Sequence, residues 1–206
     1  MSIIQHSSPP LPPPLYKEIA RYMKASSKDS GADDLIDKCL VECNGKINGK
    51  VVYREFPIYC NGNELNIGFT STQSNDLKRL LLDNNCTSII LFAATIGLGI
   101  DRLILRNSRI SPAKALCLQA IGSERVEALC NVFSLELKGK YEAMGCTLTP
   151  RFSPGYGDLP LSMQKEIFTA LNCERLLGIT LNDSLLMTPT KSVTAIIGVK
   201  NSKENK

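Results

Sequence analysis

Residues 88–94, Ser-Ile-Ile-Leu-Phe-Ala-Ala, form an unbroken apolar run rich in β-forming residues. A run of this kind is satisfied only as a strand covered on both faces, so it predicts a buried strand. The near-apolar stretch of residues 88–100 is shorter than the roughly 18 residues a bilayer crossing needs, so no membrane span is expected.

Other segments take their places around that strand. Leu35, Ile36, Cys39, Leu40 and Cys43 make one apolar stripe, with Asp33, Asp34 and Asp37 near its start. This predicts a helix over residues 32–43 whose first-turn carboxylates suit the helix dipole. Residues 51–60 and 65–69 read as strands about the turn Asn61-Gly62-Asn63. Ser74 caps a helix carrying Leu77, Leu80 and Leu81.

The clearest helix opens at Ser111-Pro112 and is expected to end near Gly139. Its interior is apolar over a wide arc that includes Leu118, Ile121, Val126, Leu129 and Phe133. Ser123, Glu127, Asn131 and Ser134 form its polar stripe, either a wet face or the wall of a pocket. A helix with Met163, Ile167, Phe168 and Leu171 inward follows the loop at residues 150–160, and a shorter one runs from Cys173 to Leu177. Residues 185–187 and 192–199 read as closing strands around Pro189.

Strands in hairpin-like pairs, mixed with helices, predict an α+β fold: a mixed, largely antiparallel twisted sheet with helices packed on it. Residues 1–13 are expected to be an extended, structureless proline-rich leader. Five of the six positions 9–14 are proline, and proline cannot donate a helical hydrogen bond. Residues 14–199 form the single domain, and residues 200–206 a flexible polar tail.

Composition removes several function classes. The net charge is +4, with no basic run of the kind that grips phosphate backbones, and Trp is absent, so no nucleic-acid partner is expected. The sole histidine, His6, lies in the leader, which leaves no Ser-His-Asp, Cys-His or two-His metal constellation. The eight cysteines include no C-x-x-C. Cys39 and Cys43 stand four apart on a core stripe, and reduced thiols in a cytoplasm are the expectation. Gly97-Leu98-Gly99 lacks the third glycine and the acidic residue of a dinucleotide loop, and close packing at a helix start accounts for it better.

The segment Arg151-Phe152-Ser153-Pro154-Gly155-Tyr156-Gly157-Asp158 carries the most chemistry. Glycine lets the chain approach a ligand closely, and proline lowers the entropy of holding that shape. An arginine fork beside such a loop can grip a carboxylate through two charge-assisted hydrogen bonds. The backbone groups of Tyr156 and Asp158 are then available to an amino acid or adenine. The same residues are equally a surface turn with Arg151 in a salt bridge.

Arg151-x-x-x-Gly155-Tyr156 resembles the signature of the activation domain of cobalamin-dependent methionine synthase. Met187-Thr188-Pro189-Thr190-Lys191-Ser192-Val193 resembles that family's closing pattern, Met-x-Pro-x-x-Ser-Val. Arg21-Tyr22, Val52 to Pro57, Ala94 to Gly97 with Asp101, and Gly122-Ser123 with Glu127 resemble shorter, free-standing versions. The resemblance spans nearly the whole chain after the leader.

The resemblance implies a methionine synthase activation domain-like fold and a site for S-adenosylmethionine. Arg151 would hold the ligand's carboxylate. Pro154, Gly155, Tyr156 and Asp158 would meet the ligand, and Glu127 would face its cationic end. It also implies a cobalamin carried by a partner, namely a corrinoid-binding methionine synthase lacking its own activation domain, and a flavodoxin- or ferredoxin-like reductant. Two departures stand out. The fused enzymes continue Ser-Val into a ligand-binding Tyr-Phe pair where this chain has Ile197 and Gly198, and their upstream Asp has no counterpart here. A docking subunit that caps a corrinoid protein without binding S-adenosylmethionine is therefore the competing expectation. A catalyst acting alone on a small substrate lacks the clustered acid–base groups it would need.

Overall fold

The computed structural model describes residues 3–24, 31–61 and 64–201. In chain order the elements are β1 (Gln5–Ser7), α1 (Tyr16–Met23), α2 (Ala32–Cys43), β2 (Lys50–Pro57), β3 (Tyr59–Asn61), β4 (Glu64–Asn66) and β5 (Ser71–Thr72). Then come α3 (Asn75–Asp83), β6 (Cys86–Thr95), α4 (Gly99–Asn107), α5 (Pro112–Ala143) and β7 (Cys146–Leu148). After a short 3-10 turn the chain ends in α6 (Gln164–Leu171), α7 (Cys173–Leu177), β8 (Thr180–Leu181), β9 (Met187–Thr188) and β10 (Ser192–Asn201).

Five strands form the main sheet in the order β1-β2-β6-β10-β7, every neighbouring pair antiparallel. The apolar run lies in β6 between two long partners, so the expected buried strand is present. Strand alternation splits the core into two layers. Val51, Tyr53, Ile90, Phe92, Ala195 and Ile197 pack with α1, α2, α4 and α5. Val52, Phe56, Ile89, Leu91 and Ile196 pack with α3, α6 and α7. Both faces are covered, which explains why an antiparallel sheet has a central strand that reads as a continuous apolar run. The α+β class and the largely antiparallel sheet are as the sequence predicts.

The long helix α5 spans 32 residues, about 48 Å at 1.5 Å per residue. Its wide apolar arc follows from burial between the sheet and α1. Gly139 does not end it. An exposed mid-helix glycine costs only about 1 kcal/mol, while Tyr141 beyond it is buried and donates to Glu55 at 2.7 Å. Helix α2 has the predicted bounds, and the Ser74 side chain accepts from Leu77 N at the start of α3, as expected of a cap.

The strand predicted over 51–60 divides. Pro57 closes β2, and the chain enters a separate three-stranded sheet, β3-β4-β5. The strand expected at 65–69 stops at Asn66, because Gly68 at φ +82° turns the chain. Gly62 and Asn63 of the expected turn, and residues 202–206 of the expected tail, lie outside the described residues. Of the strand expected at 185–187, only Met187 is extended; Leu185 sits at φ +62° in a turn.

The leader is extended but not structureless. Gln5, His6 and Ser7 pair with Tyr53, Val52 and Val51 at the sheet edge. Arg125 donates from Nη1 to the Pro12 carbonyl at 2.6 Å and from Nη2 to the Pro13 carbonyl at 3.3 Å. Glu124 pairs with Arg125 and accepts from Leu15 N at 3.2 Å. Prolines keep their acceptors, so a proline run can be anchored by a buried donor.

The six buried cysteines, Cys39, Cys43, Cys86, Cys117, Cys130 and Cys173, are free thiols. Burial pushes the Cys43 and Cys173 thiols up to about 12, which keeps them protonated and inert. No helix among the described residues is long and apolar enough to cross a membrane.

Candidate functional site

Phe152 is placed by a β-bridge to Ile196, with both N–H···O bonds at 2.8 Å. Alternation about that bridge sends Phe152 into the α6-side core and Arg151 toward α5. There the Arg151 Nη2 donates to Glu127 Oε2 at 3.1 Å and to Asn131 Oδ1 at 3.0 Å. Glu127 and Asn131 are one helical turn apart, so one guanidinium reaches both. The side chains are 26% and 45% exposed for Arg151 and Glu127 respectively, a half-open position from which a ligand can approach.

Arg151 lines a cavity of about 460 Å³ with Asn131, Ser134, Leu135 and Lys138 of α5, residues 148–150 and Ile197. The polar stripe of α5 is therefore in part a pocket wall. The bonds to Glu127 and Asn131 both use Nη2, and Glu127 is the guanidinium's one ion-pair partner among the described residues. Cys130 is buried beneath. Burial pushes its thiol up to about 12, partly opposed by Arg151.

A second cation stands farther back along the stripe. Lys191 lies across Gly122, where an added Cβ would come within 2.9 Å of the lysine Cε, and its Nζ meets Ser123 Oγ at 3.1 Å. Burial holds the Lys191 ammonium below its ordinary pKa, with Asp101 opposing the shift. Asp101 at the start of α4 accepts from Thr190 N at 2.7 Å and Thr190 Oγ1 at 2.6 Å. Segments far apart in sequence (Asp101, Ser123, Glu127, Arg151 and Thr190–Lys191) are thus strung along one side of α5.

The rest of the 151–158 segment does not join that cavity. Pro154 is buried. Gly155, at φ +86°, donates to the Leu159 carbonyl at 2.9 Å, and Tyr156 N donates to the Ser153 carbonyl at 3.1 Å. Asp158 N donates to Asp76 Oδ2 at 3.3 Å. The N–H groups of Tyr156 and Asp158 are therefore bonded within the protein. A turn this tight satisfies its own donors. The Tyr156 ring is 69% exposed and meets Phe152 edge-on at 5.4 Å.

The Asp158 carboxylate is a helix cap. It accepts from Ser74 Oγ, from Asn75 N at 2.7 Å and from Asp76 N at 3.2 Å. A Cβ at Gly157, which sits at φ +55°, would fall 2.3 Å from Asp76 Oδ2, so a side chain there would displace that carboxylate. The Ser74 hydroxyl first, and then the N–H groups of Asn75 and Asp76, hold the Asp158 carboxyl below the ordinary carboxylate range. A depressed folded-state pKa gives stability that is present above the unfolded value, about 3.9. That stability is lost as pH falls through the folded value. Asp158→Asn is expected to remove this segment of the acid dependence. Urea midpoints for the two proteins then converge as pH drops from roughly 5 to roughly 2.

The Ile197 and Gly198 positions have different fates. Ile197 faces α5 and lines the Arg151 cavity. Gly198 faces α3, and a Cβ there would lie 2.6 Å from Cys86 Sγ and 2.7 Å from Leu81 Cδ2. An aromatic residue cannot occupy that place while Leu81 covers it.

Two walls of the site, Lys138 and Thr149, carried no signal in the sequence. Lys138 follows Ser134 by four on the stripe, which helical spacing makes visible afterwards. Thr149 exchanges bonds with Gly198, accepting from its N–H at 2.8 Å and donating N–H to its carbonyl at 3.0 Å, a pairing only the sheet creates.

No protein-family model matches the chain, and no curated protein matches it in sequence. Among solved structures the fold is similar to a crystal structure of the MetH reactivation domain bound to AdoHcy. The TM-score is 0.66 and the identity 15%, over 98% of this chain and 79% of that one. At that identity the likeness shows a shared fold.

Proposed function

We propose that this chain binds S-adenosylmethionine at the Arg151 cavity and serves as a free-standing reactivation subunit for a cobalamin-dependent methionine synthase. One observation carries the reading. On the fold of a reactivation domain, Arg151, paired with Glu127, lines a cavity whose size, about 460 Å³, falls in the range of small-molecule sites. A zwitterionic sulfonium ligand needs one cation and one anion close together, and this pair supplies both.

The chain's own work is positioning. With Nη2 on Glu127 and Asn131, Arg151 offers a ligand carboxylate one charge-assisted bond, from Nε or from Nη1. Glu127 stabilises the cationic end, and Ile197 with Leu135 and Leu148 shields the ligand body from water. The bound ligand supplies the methyl group. The cobalamin acceptor belongs to a corrinoid-binding methionine synthase lacking its own activation domain, and the electron comes from a flavodoxin- or ferredoxin-like protein.

A calorimetric titration with S-adenosylmethionine tests the reading. Wild type binds saturably, and Arg151→Ala weakens binding roughly tenfold or more, the loss of about 1.5 kcal/mol for one charge-assisted bond at a half-open position. The filled Gly198 position and the existing Arg151–Glu127 pair favour a second reading, docking on a corrinoid protein without the ligand. Absence of binding by wild type, with or without the partner, leaves that role alone.

A further inference from the structure

A cavity of about 880 Å³, roughly twice the Arg151 cavity, opens on the opposite face of the sheet. Its floor is β2, where alternation puts Arg54 and Phe56 on the side facing α6. Gly68 lets the neighbouring turn close onto β2, since a Cβ there would stand 2.7 Å from Phe56 Cβ and 2.9 Å from the Pro57 carbonyl. That closure brings the Phe69 ring 5.3 Å from Phe56. Glu166 and Ala170, one turn apart on α6, form the far wall.

Arg54 is the unusual feature of this space. Its guanidinium lies 4.8 Å from the Phe56 ring centroid, yet its Nε is sealed from solvent and has no hydrogen-bond partner. The side chain as a whole is only half-buried, so its terminal Nη groups, rather than the sealed Nε, are the ones a ligand in the cavity would meet. Glu166 lines the same cavity, but no ion pair joins it to Arg54 among the described residues.

We propose that this cavity is a second small-molecule site, taking an apolar monocarboxylic acid with its carboxylate on Arg54 and its body against Phe56, Phe69 and Ala170. One guanidinium matches one carboxylate. No second cation lines the cavity, and the two acidic residues beside Arg54 in its lining, Glu55 and Glu166, disfavour a doubly charged phosphate more than a singly charged carboxylate. The apolar lining suits a hydrocarbon or aromatic body. The site shares no lining residue with the Arg151 cavity, so it stands or falls apart from the proposed function.

The test is a calorimetric titration of the full chain with 1-naphthoate and with its neutral isostere 1-naphthalenemethanol. Naphthoate is expected to saturate a single site, with the alcohol at least roughly tenfold weaker. Arg54→Gln should remove that preference, Arg54→Lys should restore part of it, and Ala170→Met should weaken both probes by filling the space. Arg151→Ala should leave naphthoate binding unchanged, and Arg54→Gln should leave S-adenosylmethionine binding unchanged. Equal binding of the two probes to wild type, no saturable naphthoate binding, or full naphthoate affinity in a folded Arg54→Gln protein overturns the proposal. If Arg54→Gln does not fold by circular dichroism, the comparison of the two probes on wild type decides.

Discussion

Glu124→Ala is expected to lower stability by about 3–5 kcal/mol, read as a fall in the urea midpoint at unchanged slope. Glu124 and Arg125 are 3% and 4% exposed, so each charge is held almost entirely out of water. Their pairing, with Nη2 to Oε1 at 2.6 Å, offsets the desolvation. Removing the carboxylate strands the Arg125 charge and frees Leu15 N, which Glu124 accepts at 3.2 Å. The leader then loses its footing on α5, because the Pro12 and Pro13 carbonyls are tied to the same guanidinium. Glu124→Leu combined with Arg125→Met should recover part of the loss, since a neutral apolar pair leaves no stranded charge. A midpoint for Glu124→Ala within error of wild type would show that water reaches Arg125 and that the pair is not truly buried.

Gly99→Val is expected to abolish cooperative folding, or to leave a protein destabilised by more than about 4 kcal/mol. A Cβ at residue 99 would lie 2.0 Å from the Lys46 carbonyl oxygen and 2.9 Å from its carbon. Those are backbone atoms, so no side-chain rotation relieves the overlap. The segment after α2 must instead move away from the start of α4, taking with it the Asn48 N to Ile96 carbonyl bond of 3.0 Å. Gly139→Val is the matched control, for nothing lies within 4 Å of a Cβ at residue 139. Thermal melts of the two variants separate steric closure from loss of glycine as such. Similar melting of both would sink the argument. The same geometry explains Gly97-Leu98-Gly99 as packing at a helix start rather than a nucleotide loop.

Part of the candidate site was legible, and the reason is local. The i, i+4 spacing of Ser123, Glu127 and Asn131 marks one side of a helix whatever surrounds it. Arg151 followed by Pro154-Gly155 marks a stiff turn behind a guanidinium. The pairing of Glu127 with Arg151, both named from the sequence, needed only that the turn come to lie against that helix. The role of Asp158 was not legible, because its partners Ser74, Asn75 and Asp76 lie 82–84 residues away and give no local sign that their donors are short of an acceptor. Gly198 read as a departure from a ligand-binding pattern, whereas the structure shows the position crowded by Leu81 and Cys86, which a side chain there would have to displace.

Periodicity alone determined α2, the arc of α5, the buried strand β6 and the cap at Ser74, since each depends on residues within a few positions of one another. Only the tertiary structure decided that the proline leader becomes an edge strand anchored by Arg125, that Pro57 sends the next strand into a second sheet, and that one polar stripe becomes a pocket wall. The first and last of those outcomes rest on pairings between residues tens to more than a hundred positions apart, 113 for Arg125 with Pro12. A sequence carries both members of such a pair, but only the folded chain brings them within hydrogen-bond distance.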